Sequence, residues 1–460
     1  MMTAEKVEAI KRFKELLETH STITISTCSP EGELWSTKTY YGDENGYIYV
    51  CIEDKGKAFA NIKKNPRIFF VIEKNDPFFF AQGTATVEII GPSEEHPLER
   101  SYYLRKNFGA VGFLRMVKTH VIRIKPEKVF ISDFREGWKP RTELTFDDES
   151  FSYLQSLYEK KPTWKYYLQA TRPWVIGITI SAVFIGTLMA IKENTPHISI
   201  ANFLLALMGA VFVHLGVNAW SDYFDYKKGA DKWFTLGSSR TIVDYLLKPH
   251  QVLLIGIVLL ICAVICAIIL YFKLGQPTLF LYLIGTGAIL GLFYAFIPVG
   301  WKYVALGDLA VFAAWSLICM GTYYIHTGNL SLNPFIAFLP VAILVVGILH
   351  GNNMRDIKDD LSAGYRTLAT ILGLHGSQIY YMILIAASYI SLIIATYQGI
   401  LPVWALAGIL TAHIAWKQIK WSRNPGYLQF NMLDYYTARL ANKIAICIIV
   451  GIVIHLLAGK

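Results

Sequence analysis

The sequence lacks a cysteine framework. Its six cysteines, Cys28, Cys51, Cys262, Cys266, Cys319 and Cys447, show none of the paired spacings of a zinc site or disulfide scaffold, and several fall inside apolar runs. They are expected to be reduced packing residues. The amino-terminal end also lacks the basic stub and short apolar run of a cleavable signal, because Glu5 to Glu18 is charged and amphipathic. The front of the chain is therefore expected to stay in the cytoplasm. Residues 1–165 contain no long apolar run, only short alternating ones amid dense charge.

The pattern changes beyond Arg172, where apolar stretches of about 18 residues or more recur, the length that crosses a bilayer. They account for the 54% apolar content and mean hydropathy of +0.39. The shift in composition marks two parts, with domains expected at 1–145 and 173–460 and a linker at 146–172. The linker run "YEKKPTWKYYLQATRPW" mixes Trp and Tyr with Lys and Arg, as does a segment at headgroup level. The net charge of +9 has a membrane explanation rather than a nucleic-acid one, because basic residues cluster in alternate loops between the apolar stretches. No nucleic-acid partner is expected.

In the front part, residues 4–19 read as a helix with Val7, Ile10, Phe13 and Leu17 on one side. Six strand-like runs come next at 22–28, 34–41, 47–52, 67–73, 79–89 and 121–134, separated by turn signals such as Ser29-Pro30-Glu31-Gly32, Glu44-Asn45-Gly46 and Asn75-Asp76-Pro77. Six strands with one or two helices predict a small β barrel. The runs "CSPEGELWSTKTYY", "GYIYVCIEDKGKAFANIKKNPRIFFVIE" and "FFAQGTATVEI" resemble the pyridoxamine-phosphate-oxidase-like split barrel over roughly residues 5–140. That resemblance implies FMN, F420, haem or no ligand at all, a domain that pairs into dimers, and, where flavin is bound, its phosphate near Lys38, Lys55 and Lys57.

In the second part, nine spans are expected near 174–191, 198–218, 250–272, 278–297, 304–325, 334–350, 377–398, 401–416 and 443–458. With the front part inside, loops 219–249, 298–303, 351–376 and 417–442 face the cytoplasm and hold nearly all the Lys and Arg. The expected class is multidomain: a soluble β split barrel followed by an all-α, multi-pass bundle in the cytoplasmic membrane.

Two of these loops carry the chemistry. The second span runs into "NAWSDYFDYKKGAD", where Asn218, Asp222 and Asp225, spaced by four and three, share a helix face, with Asp231 beyond. The sixth runs into "GNNMRDIKDDLSAGYRTLA", where Asn352, Asp356 and Asp360 repeat the pattern. Each motif is followed by Gly and Arg-Thr (Gly237, Arg240-Thr241; Gly364, Arg366-Thr367), as in an internally duplicated bundle. One acidic helix end reads as a solvated terminus; two equivalent ones do not. Crowded carboxylates need a cation, and hard oxygen ligands favour Mg²⁺, which binds one or two carboxylates together with substrate phosphates. Arg240, Lys302, Arg355 and Arg366, in the same loops, suit the remaining phosphate oxygens.

These residues, with "ATRPW" and "FYAFIPVGWKYVALGDLAVFAAWSLICMGTYYIHTG", resemble the UbiA superfamily of intramembrane prenyltransferases over about residues 170–458. Within it the branch most resembled is 1,4-dihydroxy-2-naphthoate polyprenyltransferase of menaquinone synthesis. The resemblance implies transfer of a polyprenyl group from its diphosphate to an aromatic acceptor, with Asp222, Asp225, Asp356 and Asp360 holding Mg²⁺. It further implies that Asn218, Asp231 and Asn352 flank the diphosphate, that Arg240, Lys302 and Arg366 bind its oxygens, and that Tyr294 faces the forming cation. Ser221 stands where the family usually has a second Asn, and Pro298 where a Lys is common. A rival reading makes the chain a flavin-dependent membrane quinone oxidoreductase, and another gives the prenyltransferase a different acceptor. His214 and His350, just before the two motifs, are expected to be packed helix residues.

Overall fold

The protein is described by a computed structural model that covers residues 2–74, 76–135, 141–158, 163–193, 198–296, 300–426 and 428–458. Asn75 of the expected turn and Pro298 lie outside the described residues. The chain forms two compact units, the front one comprising Met1–Thr163 with Val243–Leu246 and the second Trp164–Ile242 with Leu247–Lys460.

The front unit opens with helix Ala4–Thr19, which Thr3 caps by accepting from the Lys6 amide at 3.2 Å. Ile10, Phe13 and Leu17 are buried as their spacing predicts, and Leu16 joins them. Eight antiparallel strands come after it among the described residues: β1 Thr22–Cys28, β2 Leu34–Tyr40, β3 Gly42–Glu44, β4 Tyr47–Glu53, β5 Arg67–Lys74, β6 Asp76–Pro92, β7 Thr119–Asp133 and β8 Thr142–Thr145. Their order is β2-β1-β5-β6-β7-β4-β3, with β8 also on β7. Asn45 and Gly46 both take positive φ between β3 and β4, the backbone a two-residue hairpin requires.

Two register shifts in the β6–β7 pairing, at Thr84/Ala85 with the extra residue on β7 and at Ile89/Gly91 with it on β6, bend this long pair. One half of the sheet can then carry β5 and the other β4. β3, β8 and helix Pro97–Lys106 were not expected from the sequence. Helix Asp148–Ser156, within the expected linker, packs Phe151 and Leu154 into the front core. All six cysteines are free, and burial pushes the Cys51 thiol up to about 12.

The second unit is a helical bundle. Among the described residues seven helices are long and apolar enough to cross a membrane: Pro173–Lys192, Ile200–Lys228, Pro249–Lys273, Gly307–Thr327, Asn333–Ser362, Leu368–Tyr397 and Gln429–Leu457. The expected fourth span is shorter, Thr278–Leu292. The eighth begins as a 3₁₀ segment, Val403–Thr411, and continues as helix Ala412–Ser422. In the seventh, Gly373 breaks the helical backbone with φ 64°, so the apolar run after it forms a separate rod. The chain is thus a multi-pass membrane protein.

The two motif helices, Ile200–Lys228 and Asn333–Ser362, have 29 and 30 residues. Each is about 44 Å long, against a hydrocarbon layer of about 30 Å, so roughly the last two turns stand clear of the lipid tails. The acidic residues occupy those turns. Gly216 in the first motif helix and Gly256 in the next helix meet so closely that a Cβ on either would lie 3.2 Å or less from facing backbone or side-chain atoms. This small-residue crossing sets helix Pro249–Lys273 against the first motif helix.

Candidate active site

Both motif helices end in the same way. Gly229 and Gly364 adopt left-handed backbone, with φ of 75° and 77°. The amide after each glycine reaches back to an aspartate carbonyl, Ala230 to Asp225 at 2.8 Å and Tyr365 to Asp360 at 2.9 Å. Asp225 and Asp360 therefore sit in equivalent last turns. A helix carboxyl end carries partial negative charge, so carboxylates there are doubly unfavourable without a cation.

The loop after the first motif lies over the second. Ser239 donates its amide to Asp222 at 2.9 Å, and a Cβ on Gly237 would come within 3.3 Å of the Asn352 amide nitrogen. Under this loop opens a cavity of about 600 Å³. Asn218, Asp225 and Asp231 line it from one motif, Asn352, Asp356 and Asp360 from the other, and Lys302 and Tyr294 from the segment between. Away from the acids its wall is mostly apolar, including Val213, Leu260, Phe280 and Ile318.

Asp225 is held by the Lys302 ammonium, the Tyr303 hydroxyl and the Ser221 hydroxyl, the last at 3.1 Å. Asp222 is buried and does not line the cavity; Arg172 and the Ser239 amide take its two oxygens. Burial, followed by the carboxylates of Asp225 and Asp222, raises the Asp231 carboxyl well above its ordinary range. Burial likewise raises the phenols of Tyr303 and Tyr365, leaving them neutral hydrogen-bond donors. Tyr294 presents its ring to the cavity, 5.6 Å from the Lys302 ammonium.

Three basic residues expected at the diphosphate are not part of the cavity wall. Arg240 donates to the carbonyls of Thr235 and Trp233 at 2.9 and 3.0 Å, tightening its own loop. Arg355 grips Asp356 through two bonds of 2.8 and 2.7 Å and also bonds Asn352 and the Asn431 carbonyl. Arg366 is exposed; its amide, rather than its side chain, ties the loop to the Tyr303 carbonyl at 3.2 Å. Conversely, Arg172, Ser221, Tyr303, Asn353 and Asp359 line the cavity although spacing did not single them out. Of these, Arg172 carried a signal in its place within "ATRPW".

The donor set fits Mg²⁺. Among the described residues no three carboxylate, thiol or imidazole groups form a ready-made cage. Magnesium with a diphosphate needs only one or two carboxylates, the phosphates completing its shell. The three lysines expected at a flavin phosphate are dispersed. Lys57 pairs with Glu33 at 2.6 Å and covers the Trp35 ring, Lys38 lies 3.7 Å from Glu73, and Lys55 is in the turn before helix Lys57–Lys64. Trp35 and Lys38 are on opposite faces of β2 by strand alternation, so these lysines do not form one phosphate cradle.

Residues 179–429 match the model of the UbiA prenyltransferase family, and residues 9–133 that of pyridoxamine 5′-phosphate oxidase. The chain is 30% identical over 311 residues to UbiA prenyltransferase domain-containing protein 1 of Xenopus tropicalis, spanning 67% of this chain and 87% of that one. A protein of the same description from Mus musculus is 32% identical over 294 residues, 63% and 84% of the two chains. These relatives match UbiA domain proteins at large rather than the dihydroxynaphthoate branch in particular. Among solved structures, a UbiA homologue from Aeropyrum pernix K1 aligns with TM-score 0.48 and 16% identity over 61% of this chain and 98% of that one. A heme binding protein from Mycobacterium smegmatis aligns with TM-score 0.27 and 19% identity over 33% and 62%.

Proposed function

The chain belongs to the UbiA prenyltransferase family, and from that premise we propose that it transfers a polyprenyl group from its diphosphate to an electron-rich aromatic ring, with dihydroxynaphthoate the first acceptor to test. One observation carries the site assignment: acidic residues of both motif helices line the polar end of a single cavity whose remaining wall is mostly apolar. The basic loops between spans support placing this acidic end, and the front unit, on the cytoplasmic side.

In this reading Asp225, Asp231, Asp356 and Asp360 would hold Mg²⁺ with the diphosphate, and Asp222, which also accepts from the Ser239 amide, shapes their surroundings. Bound magnesium supplies Lewis-acid charge that eases departure of the diphosphate. Lys302 and Arg172, both on the cavity wall, exchange their carboxylate partners for phosphate oxygens as substrate enters. The prenyl carbon–oxygen bond breaks and the electron pair leaves with diphosphate. The Tyr294 ring face stabilises the allylic cation in a space from which the apolar wall excludes water. A ring carbon of the acceptor forms the new carbon–carbon bond and loses its proton, or its carboxylate as carbon dioxide. The front unit receives no step, because its candidate lysines do not converge.

Membranes containing the protein, Asp225→Asn or Asp356→Ala, given Mg²⁺ and a polyprenyl diphosphate with dihydroxynaphthoate, hydroxybenzoate or glyceryl phosphate, test the scheme by mass spectrometry of extracted lipids. A prenylated aromatic product from the native protein alone is expected. Equal product from either variant, or product only with glyceryl phosphate, overturns the reading.

A further inference from the structure

One turn below the acidic end, the cavity wall carries a polar group that no step above uses. His214 precedes Asn218 by four residues, about 6 Å along the same helix, and lines the cavity. It is 7% exposed. Its Nδ1 is 2.6 Å from the Thr179 hydroxyl, and its ring stands edge-on to Trp315 with centroids 5.1 Å apart. Nε2 has no partner among the described residues.

The hydrogen-bond network assigns the tautomer. Thr179 is fully buried, and among the described residues His214 is the one partner of its hydroxyl. Were Thr179 to accept from Nδ1, its own hydrogen would be stranded at a side chain with no exposure, whereas a hydrogen on Nε2 belongs to a ring that lines the cavity, where an occupant can accept it. Thr179 therefore donates, Nδ1 accepts, and the imidazole hydrogen sits on Nε2. The adjoining Trp315 indole N–H also lacks an acceptor among the described residues.

A polyprenyl tail has no atom that can receive such donors, and the diphosphate belongs one turn higher among the aspartates. Resting on the prenyl-transfer reading, we propose that His214 Nε2–H binds an oxygen of the aromatic acceptor, a phenolate, carbonyl or carboxylate oxygen. His214 thereby selects oxygenated rings and turns one toward the prenyl carbon. Thr179 is a positioning residue that keeps the imidazole in the donating tautomer.

The test uses the purified full chain in lipid nanodiscs with Mg²⁺, a polyprenyl diphosphate and 1,4-dihydroxy-2-naphthoate. His214→Phe should raise KM for the naphthoate about tenfold, the loss expected when a buried ligand oxygen is left unpaired, without changing KM for the diphosphate. His214→Gln, whose amide N–H extends in the same direction, should recover most of that loss. Thr179→Val, equal in shape, should give an intermediate rise. An unchanged naphthoate KM in His214→Phe, or no rescue by Gln, overturns the proposal. Naphthoate binding, followed by quenching of tryptophan fluorescence, separates the two readings. Weaker binding to His214→Phe by a chain that makes no product keeps the subsite and removes the transfer reading; equal binding to both forms removes the subsite.

Discussion

The Lys302 ammonium donates to the carboxylate of Asp225 across 77 positions of sequence. Lys302 lies in the short turn Trp301–Tyr303, whose other end hydrogen-bonds the loop of the second motif through the Tyr303 carbonyl and the Arg366 amide. One turn thus connects both motifs and presents one cation to the cavity. In the absence of substrate that cation offsets the charge of a carboxylate at a helix end, where the backbone dipole opposes it.

Replacing Lys302 by Met should therefore have two opposite effects. Magnesium alone should bind more tightly, because a competing cation is gone, while KM for the polyprenyl diphosphate should rise about tenfold or more, the loss of one charge-assisted hydrogen bond. Lys302→Arg should recover part of the diphosphate affinity. Steady-state kinetics at saturating acceptor with Mg²⁺ and diphosphate varied separately would show this; a diphosphate KM that does not move in Lys302→Met removes Lys302 from the site.

The parts of this design that could be read from sequence are those that depend on local pattern. A membrane span is a property of about 20 consecutive residues, and four-residue acidic spacing is a property of one helix face. Both are largely visible in the structure: among the described residues seven of the expected spans are helices long enough to cross a membrane, the fourth being shorter and the eighth starting as a 3₁₀ segment, and Asp225, Asp356 and Asp360 line one cavity although Asp222 does not. Partner choice among the basic residues depends instead on how loops fold back. Arg240, Arg355 and Lys302 look alike as loop cations, yet one closes its own loop, one grips Asp356 and one reaches the cavity. Arg172 was hidden for a related reason, since an arginine before a first span has the appearance of a headgroup anchor.

In the front unit the alternating strands were legible, but helix Pro97–Lys106 was not. It buries Arg100, Ser101 and Tyr103 along with Leu104, so no apolar stripe marks its inner face. β3 and β8, of three and four residues, are too short for alternation to stand out from a turn.

Arg355 gives a prediction that separates anchoring from phosphate binding. Its side chain is 7% exposed, and Asp356 and Asp434 lie at 2.7 and 3.5 Å. Removing it leaves Asp356 without its cation at a partly buried helix end, a defect of about 3 kcal/mol. Arg355→Met should lower the unfolding temperature in detergent, with Mg²⁺ and diphosphate together restoring part of the loss, and should change KM for diphosphate far less than Lys302→Met does. The reverse pattern, normal stability with a large rise in KM, would make Arg355 a phosphate ligand.

The front unit should respond to acid through a different pair. Arg135 holds Asp133 by bonds of 2.9 and 2.7 Å and also reaches Glu15 at 2.8 Å, tying the end of β7 to the first helix. Hydrogen bonds from Arg135, outweighing partial burial, keep the Asp133 carboxyl below its usual range. A depressed carboxyl stabilises the folded state above its unfolded value of about 3.9 and loses that contribution as pH falls through the lower folded value. Because Arg135 is 42% exposed, solvent screening limits the pair to about 1 kcal/mol or less. Calorimetry of the full chain should therefore find the front-unit transition of Arg135→Gln below that of the native protein by a constant margin from pH 7 down to about 5. The margin should narrow as pH drops below about 4 and shrink in high salt at neutral pH. A margin that widens on acidification would mean that Arg135 stabilises the fold through packing of its stem rather than through the ionised Asp133.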